Sequence, residues 1–309
     1  MPIERSFDVV IIGGGPAGMS AAVWCEDLGL SCCVIERSSS LGGQLNWIHA
    51  PIRNYPGIEA ATGNDLLERF RTSLPKTTTY LFNEAVESLI QVDLAVSLVS
   101  GERIKSKAIV LATGIRRRKL GVSGEEEFKG LGILDSGAKA KNEVSGKNVV
   151  IIGGGDAALE NASMLSETAS KVMVIHRRAS LAARAEFLAT VAIRPNVELL
   201  MSAKVVSING DDKVRSVSYQ NEDAQNESLI DADAVLIRIG VEPNSEIVKA
   251  IVDLDARGYV VVDRECMTSV PDIYAIGDVS NQIAPTIASA VGDAATAIKS
   301  IRSRVSTGK

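Results

Sequence analysis

Two runs of glycine in this chain have the composition and spacing to bind a phosphorylated ligand. The first reads Val10-Ile11-Ile12-Gly13-Gly14-Gly15-Pro16-Ala17-Gly18, and the second, 140 residues later, Val150-Ile151-Ile152-Gly153-Gly154-Gly155-Asp156-Ala157-Ala158. In such a pattern Gly13 and Gly153 permit a tight turn, and Gly15 and Gly155 let the backbone approach a pyrophosphate. Gly18 or Ala158 then allows the following helix to pack closely. The phosphates rest on the helix N-terminus, where free N–H groups and the peptide dipole favour an anion.

The residues about twenty positions further on separate the two ligands. In the first copy the next apolar run ends at Glu36, followed by Arg37, and a carboxylate there can accept hydrogen bonds from a ribose 2′-hydroxyl, which suits FAD or NAD. The second copy has no acid at that place but His176-Arg177-Arg178, and two guanidiniums match a 2′-phosphate. That pattern predicts NADPH, with NADH possible; a solvated basic turn is the plainer alternative.

These groups must be positioned by strand–turn–helix–strand units. Each glycine run follows a β-branched strand and precedes a helix-like stretch, Met19 to Leu28 and Ala157 to Glu167. A second short strand follows in each copy, Cys32 to Ile35 and Lys171 to Ile175. An echo at 140 residues is far longer than solenoid periods and marks two related domains.

A length of 309 residues also suits two domains, with cores large enough to need neither disulfides nor structural metal. With 33 basic against 38 acidic residues, net −5, nucleic acid is not an expected partner. No apolar stretch approaches the roughly 18 residues a spanning helix needs, so no membrane partner and a cytoplasmic location are expected. Two histidines, His49 and His176, and four cysteines without C-x-x-C spacing exclude a zinc site. Cys32 and Cys33 read as core residues of a buried strand, with a vicinal redox pair as the alternative.

Further landmarks are Gly42-Gly43-Gln44-Leu45, Asn54-Tyr55-Pro56-Gly57, Ala112-Thr113-Gly114, Gly124-Glu125-Glu126-Glu127-Phe128, Ile239-Gly240-Val241-Glu242-Pro243-Asn244 and Ile276-Gly277-Asp278-Val279. With them the chain resembles, over nearly its whole length, the low-molecular-weight thioredoxin-reductase-like flavoproteins. The resemblance implies an α/β, three-layer architecture of two Rossmann-like dinucleotide-binding domains. An NAD(P)H domain (116–244) would be inserted into a discontinuous FAD domain (1–115 and 245–309), rotating between two orientations, and the chain would be a homodimer through its FAD domains. A last helix is expected over Ile287 to Arg302. The resemblance assigns FAD to Gly13, Gly15, Pro16, Ala17, Gly18, Glu36, Arg37, Gly43, Gln44, Asn54, Val86, Ala112, Thr113, Gly114, Asp278 and Ala288. The NADP residues would be Gly153, Gly155, Asp156, Ala157, His176, Arg177, Arg178, Arg184 and Gly240.

The departures from that family shape the functional expectation. Where thioredoxin reductases carry their C-x-x-C, this chain has Ser136-Gly137-Ala138-Lys139, and an Arg-Gln pair near the end of the FAD domain is Pro285-Thr286. The third arginine of the phosphate clamp is Ala182, with Arg184 two residues later as a possible substitute. The reading is an FAD-dependent NAD(P)H oxidoreductase that is not a thioredoxin reductase and hands electrons to a non-disulfide acceptor: ferredoxin or flavodoxin, a quinone, or oxygen. The basic run Arg116 to Lys119 would be a docking patch for such a protein, or else a solvated charge run. His49, near Gln44 and Asn54 in sequence, is a candidate proton donor against the plainer reading of a packed or surface-loop histidine. Two alternatives stand beside this reading. One is a flavin-binding regulatory or interaction protein with reduced turnover, the other a disulfide reductase using Cys32-Cys33 or Cys266.

Overall fold

Val9 and Ile11 face one core and Val10 and Ile12 another, as the two-residue period of a strand buried on both sides requires. The computed structural model describes residues 5–49, 51–221 and 226–307. It divides into two compact units, one running up to Arg116 and resuming at Glu242, the other from Arg117 to Val241. These boundaries lie one residue later and three residues earlier than the expected 115/116 and 244/245. Side-chain bonding explains the difference, because Arg116 pairs with Glu242 at 2.7 Å and with Glu246. The Asn244 side chain and backbone also bond to Thr113, Gly114 and Arg116.

In chain order the first unit begins with β1 (Arg5–Ile12), α1 (Pro16–Asp27), β2 (Cys32–Glu36), α2 (Gly63–Thr72), β3 (Thr79–Phe82), β4 (Val86–Ile90), β5 (Ala95–Leu98) and β6 (Arg103–Leu111). After β7 (Ile115–Arg117) the second unit contains α3 (Gly137–Ala140), β8 (Asn148–Ile152), α4 (Asp156–Leu165), β9 (Lys171–Ile175), α5 (Ala185–Ala192), β10 (Val197–Leu200), β11 (Ala203–Gly210), β12 (Val214–Asn221), β13 (Ser228–Asp231) and β14 (Ala234–Ile237). The chain returns through β15 (Val241–Pro243) and closes the first unit with β16 (Ile273–Ala275) and α6 (Ile287–Thr307).

The first unit's parallel strands stand in the order β3-β2-β1-β6-β16, with the β4–β5 hairpin antiparallel to the first half of β6. α1 and α6 cover one face through Met19, Ala22, Ala294 and Ile298, and the other face packs with Leu89, Leu98, Val248 and Val260. The second unit repeats the plan with order β10-β9-β8-β14. α4 lies on the face of Val149 and Ile151, and the antiparallel β11–β12–β13 sheet covers Val150 and Ile152. The 140-residue echo persists in the register: Val9 pairs Cys32 and Ile12 pairs Ile35, while Val149 pairs Val172 and Ile152 pairs Ile175. The α/β, Rossmann-like architecture expected from the sequence is therefore observed in each unit.

Three helices differ in extent. α1 starts at Pro16 and not at Met19, because proline suits the first helical position, where its missing N–H leaves no bond unmade. α4 spans Asp156–Leu165 and not 157–167. α6 runs five residues past Arg302, with Ile301 still fully buried near its end. Among the described residues no helix is long and apolar enough to cross a membrane.

Candidate functional site

In the first unit the turn after β1 is shaped by what lies against each glycine. Gly13 has φ 110°, and a Cβ there would collide with the carbonyl oxygen of Ala112 at the end of neighbouring β6. Gly18 lies against the Gly13 carbonyl with no room for a side chain, which lets α1 approach β1, while Gly15 is open. The Glu36 carboxylate, buried at the end of β2, accepts from the Gly14 N–H through Oε2 and from the Ser38 N–H through Oε1, both at 2.8 Å. Each oxygen keeps a lone pair for a ligand hydroxyl.

These residues open into a cleft of about 540 Å³ within the first unit, the size of a cofactor site. Of the expected FAD residues, Gly13, Gly15, Pro16, Ala17, Glu36, Arg37, Gly43, Gln44, Val86, Ala112, Thr113, Gly114 and Asp278 line it. The Gln44 side-chain amide is fixed by donating to the Ile115 carbonyl at 2.8 Å. The half-buried Asp278 carboxyl is pushed up to about 6 by burial and by the negative charge of Asp293, whose Oδ2 accepts from the Gly277 N–H at 3.1 Å. The cleft, its carboxylates and its open glycines fit FAD. Pro285 and Thr286 also line the cleft, and Thr286 exchanges hydrogen bonds with Ser289 at the start of α6. An N-capping function thus occupies the place of the missing Arg-Gln pair.

Four expected residues are not in the cleft lining, and Gly18 is one of them, because it is buried against the Gly13 carbonyl. Asn54 is exposed in a loop away from the lining, and Ala288 points outward while Ile287 and Ala290 on the same helix turn inward. His49 is not part of the lining either, and its Nε2 is buried with no partner among the described residues. Proximity in sequence misled here, because the short helix over 43–47 carries Gln44 and Trp47 to the cleft and the chain then turns away. Trp47, which sequence position sets beside His49 between Gln44 and Asn54, does line the cleft, whereas sequence reasoning missed Glu84, Ala85 and Ile247, which carry no motif.

The second unit copies the turn with different chemistry. Gly153 has φ 149°, and a Cβ there would collide with the Arg238 carbonyl beyond β14, as Gly13 does with Ala112. His176 occupies the counterpart of Glu36, its ring packed against Gly154 as the Glu36 carboxylate is against Gly14. Burial, and next the charge of Arg178, push the imidazole below its ordinary pKa, so it is neutral at pH 7. Its Nε2 is buried without a partner among the described residues. Arg177 and Arg178 are exposed, and neither side chain has an ion pair among the described residues. A neutral ring followed by two uncommitted guanidiniums fits a dinucleotide bearing a 2′-phosphate. Arg184 does not stand free as the substitute third arginine. Its Nε is 2.7 Å from Asp156 Oδ2 and its Nη1 2.9 Å from Glu186, because it begins α5 facing the first turn of α4.

The basic run Arg116 to Lys119 is not a free docking patch. Arg116 is held by Glu242 and Glu246, Arg117 by the Asp135 carbonyl, Arg118 by the Val241 carbonyl and Lys119 by Glu126. Ser136-Gly137-Ala138-Lys139 forms the start of α3, where Gly137 fits tightly against Asn161 of α4. All four cysteines are buried and unpaired. Burial pushes Cys33 and Cys266 up to about 12, and Cys25 is raised, first by its contact with Cys32.

Comparison with known proteins supplies the relatives. Residues 7–298 match the family model of the pyridine nucleotide-disulphide oxidoreductases. A thioredoxin reductase of Listeria innocua is 34% identical over 297 residues, covering 94% of this chain and 91% of that protein. The crystal structure of T. acidophilum thioredoxin reductase superposes with a TM-score of 0.80 at 33% identity, over 98% of this chain and 99% of the other. Lactococcus lactis thioredoxin reductase gives 0.81 at 29% identity, over 97% and 99%.

These matches correct the expectation drawn from Ser136 to Lys139. Relatives at 31–34% identity over nearly the whole chain are named thioredoxin reductase. The exclusion of that activity and the assignment of a non-disulfide acceptor are therefore withdrawn, and the relatives named here lend no support to ferredoxin or flavodoxin as a partner. Likeness along the entire fold outweighs the difference in that four-residue window. The chain is an oxidoreductase using FAD and NADPH, and it belongs to the pyridine nucleotide-disulphide oxidoreductase family.

Proposed function

We propose that the chain oxidises NADPH held at the Gly153 turn and passes the reducing equivalents, through FAD held in the cleft of the first unit, to a disulfide of the kind that the name of its relatives implies. The observation that carries this reading is the divergence of two otherwise equivalent turns. Gly14 lies over a carboxylate and Gly154 over a neutral imidazole followed by Arg177 and Arg178.

FAD, when bound, supplies two-electron acceptance from the nicotinamide and electron delivery onward. The chain's own residues orient and bind. Glu36 accepts from a ribose hydroxyl, the Gly13–Ala17 turn presents N–H groups to phosphate, and Asp278 faces the cleft to accept from a ligand hydroxyl. Arg177 and Arg178 take the 2′-phosphate. With no thiol in Ser136–Lys139 and every cysteine buried in the first unit, the acceptor disulfide reacts without a C-x-x-C relay of this chain. A homodimer, as the family resemblance implies, is the assembly we infer.

An anaerobic titration of the yellow protein with NADPH tests the first half: the flavin absorbance should bleach. No bleaching while dithionite still reduces the flavin would overturn the reading. Turnover with oxidised thioredoxin, followed by NADPH loss and thiol release, tests the second half. Flavin that bleaches but never yields thiol would remove the disulfide acceptor alone.

A further inference from the structure

The carboxyl edge of the second unit's parallel sheet carries two guanidiniums that no carboxylate neutralises. Arg238 follows directly on β14, whose Ile237 pairs with Ile152 immediately before the Gly153 turn. Its backbone carbonyl abuts Gly153. The Arg238 Nη1 donates to the Ile237 carbonyl at 2.8 Å and its Nη2 to the Asp135 carbonyl at 3.3 Å, and Arg117 Nη1 donates to that same Asp135 oxygen. The segment before Asp135 is fixed alongside β14 by Leu134 N–H to the Val235 carbonyl and Val235 N–H to the Gly132 carbonyl.

Neither guanidinium makes an ion pair among the described residues, and the Asp135 carboxylate acts on them only at longer range. Arg116, Arg184 and Arg215, by contrast, each meet two carboxylates. Burial and the neighbouring charge of Arg117 push the half-buried Arg238 down to about 10, as expected for a cation beside another cation without a counter-ion. Of the roughly ten N–H donors that two guanidiniums carry, most remain unused. Such planar forks match phosphate oxygens, and in a doubly wound sheet the carboxyl edge is where ligands lie.

We propose that Arg117 and Arg238 form a phosphate-binding clamp on the second unit, separate from Arg177 and Arg178. It takes a phosphoryl group, either from the dinucleotide lying over Gly153 or from a second phosphorylated ligand. The clamp needs no flavin turnover, so it stands even if the electron-transfer reading above fails.

Calorimetric titration of the FAD-loaded full chain with inorganic pyrophosphate tests this. Binding should weaken at least tenfold in Arg238→Met and in Arg117→Met, to an intermediate degree in Arg238→Lys, and hardly at all in Arg215→Met, whose guanidinium is held by Asp211 and Asp212. Since Arg117 is exposed, its variant keeps the test valid if Arg238→Met folds poorly. Pyrophosphate displaced competitively by NADPH places the dinucleotide's own phosphates in the clamp; pyrophosphate that stays bound beside NADPH assigns it a second ligand. No binding at millimolar pyrophosphate, or binding lost only in the Arg177→Met/Arg178→Met variant, would overturn the proposal.

Discussion

Asp278 is the residue through which pH should act on the first unit, and Asp278→Asn isolates the effect. Burial, and then the charge of Asp293, raise its carboxyl from the ordinary 3.8 to about 6. A carboxyl that holds its proton more tightly when folded contributes stability that is complete below its unfolded pKa. That contribution is lost as pH rises through about 6. The gap of about two pH units corresponds to ~3 kcal/mol. Because the carboxyl remains partly open to the cleft, solvent screening reduces this to ~1–2 kcal/mol. Asparagine keeps the shape without the charge. Flavin-free Asp278→Asn should therefore exceed the parent in stability by ~1–2 kcal/mol at pH 8, with the advantage vanishing towards pH 4.5. Urea unfolding at intervals across that range is the assay, with a midpoint shift at constant slope as the readout. A difference that does not change with pH would refute the reasoning. If a ligand hydroxyl bonds the ionised carboxyl, FAD affinity should also fall as pH drops through 6 in the parent and stay flat in the variant.

The two glycine turns give paired predictions. Gly13→Ala places a methyl against the Ala112 carbonyl and should yield protein without flavin, seen as loss of yellow colour. Gly153→Ala meets the Arg238 carbonyl and should leave FAD bound while weakening NADPH by roughly tenfold to a hundredfold, read from the titration of flavin bleaching. His176→Glu restores a carboxylate at the counterpart of Glu36. It should shift preference towards NADH by about tenfold or more, because a negative charge then faces the 2′-phosphate, and comparison of kcat/KM for the two nucleotides checks it. A thiol reagent at pH 8 should find the four cysteines almost unreactive until the chain is denatured, since all are buried and Cys33 and Cys266 are raised to about 12.

Much of the fold was legible because it is written in local patterns. The β-branched runs before Gly13 and Gly153, the glycines themselves and the second strands obey short-range rules of sterics and periodicity, so their strand–turn–helix–strand units could be read residue by residue. Glu36 and His176 were legible for the same reason: Glu36 is the last residue of β2 and His176 the first after β9, two strands whose register with their neighbours is fixed by the buried face. The parts that only the tertiary structure decided depend on groups far apart in sequence. His49, Asn54 and Ala288 are near cleft residues along the chain yet turn away from the cleft, while Glu84 and Ile247 arrive from elsewhere. Arg184 and Arg116 look like free cations in a string of letters, and their charge is spent on Asp156 and Glu186, and on Glu242 and Glu246. Arg238 carries no motif, and it becomes a candidate ligand group because β14 sets it beside Gly153 and next to Arg117. Local sterics are encoded by adjacent residues, whereas which charges meet and which stay unpaired is fixed only when separate strands end at the same edge of a sheet.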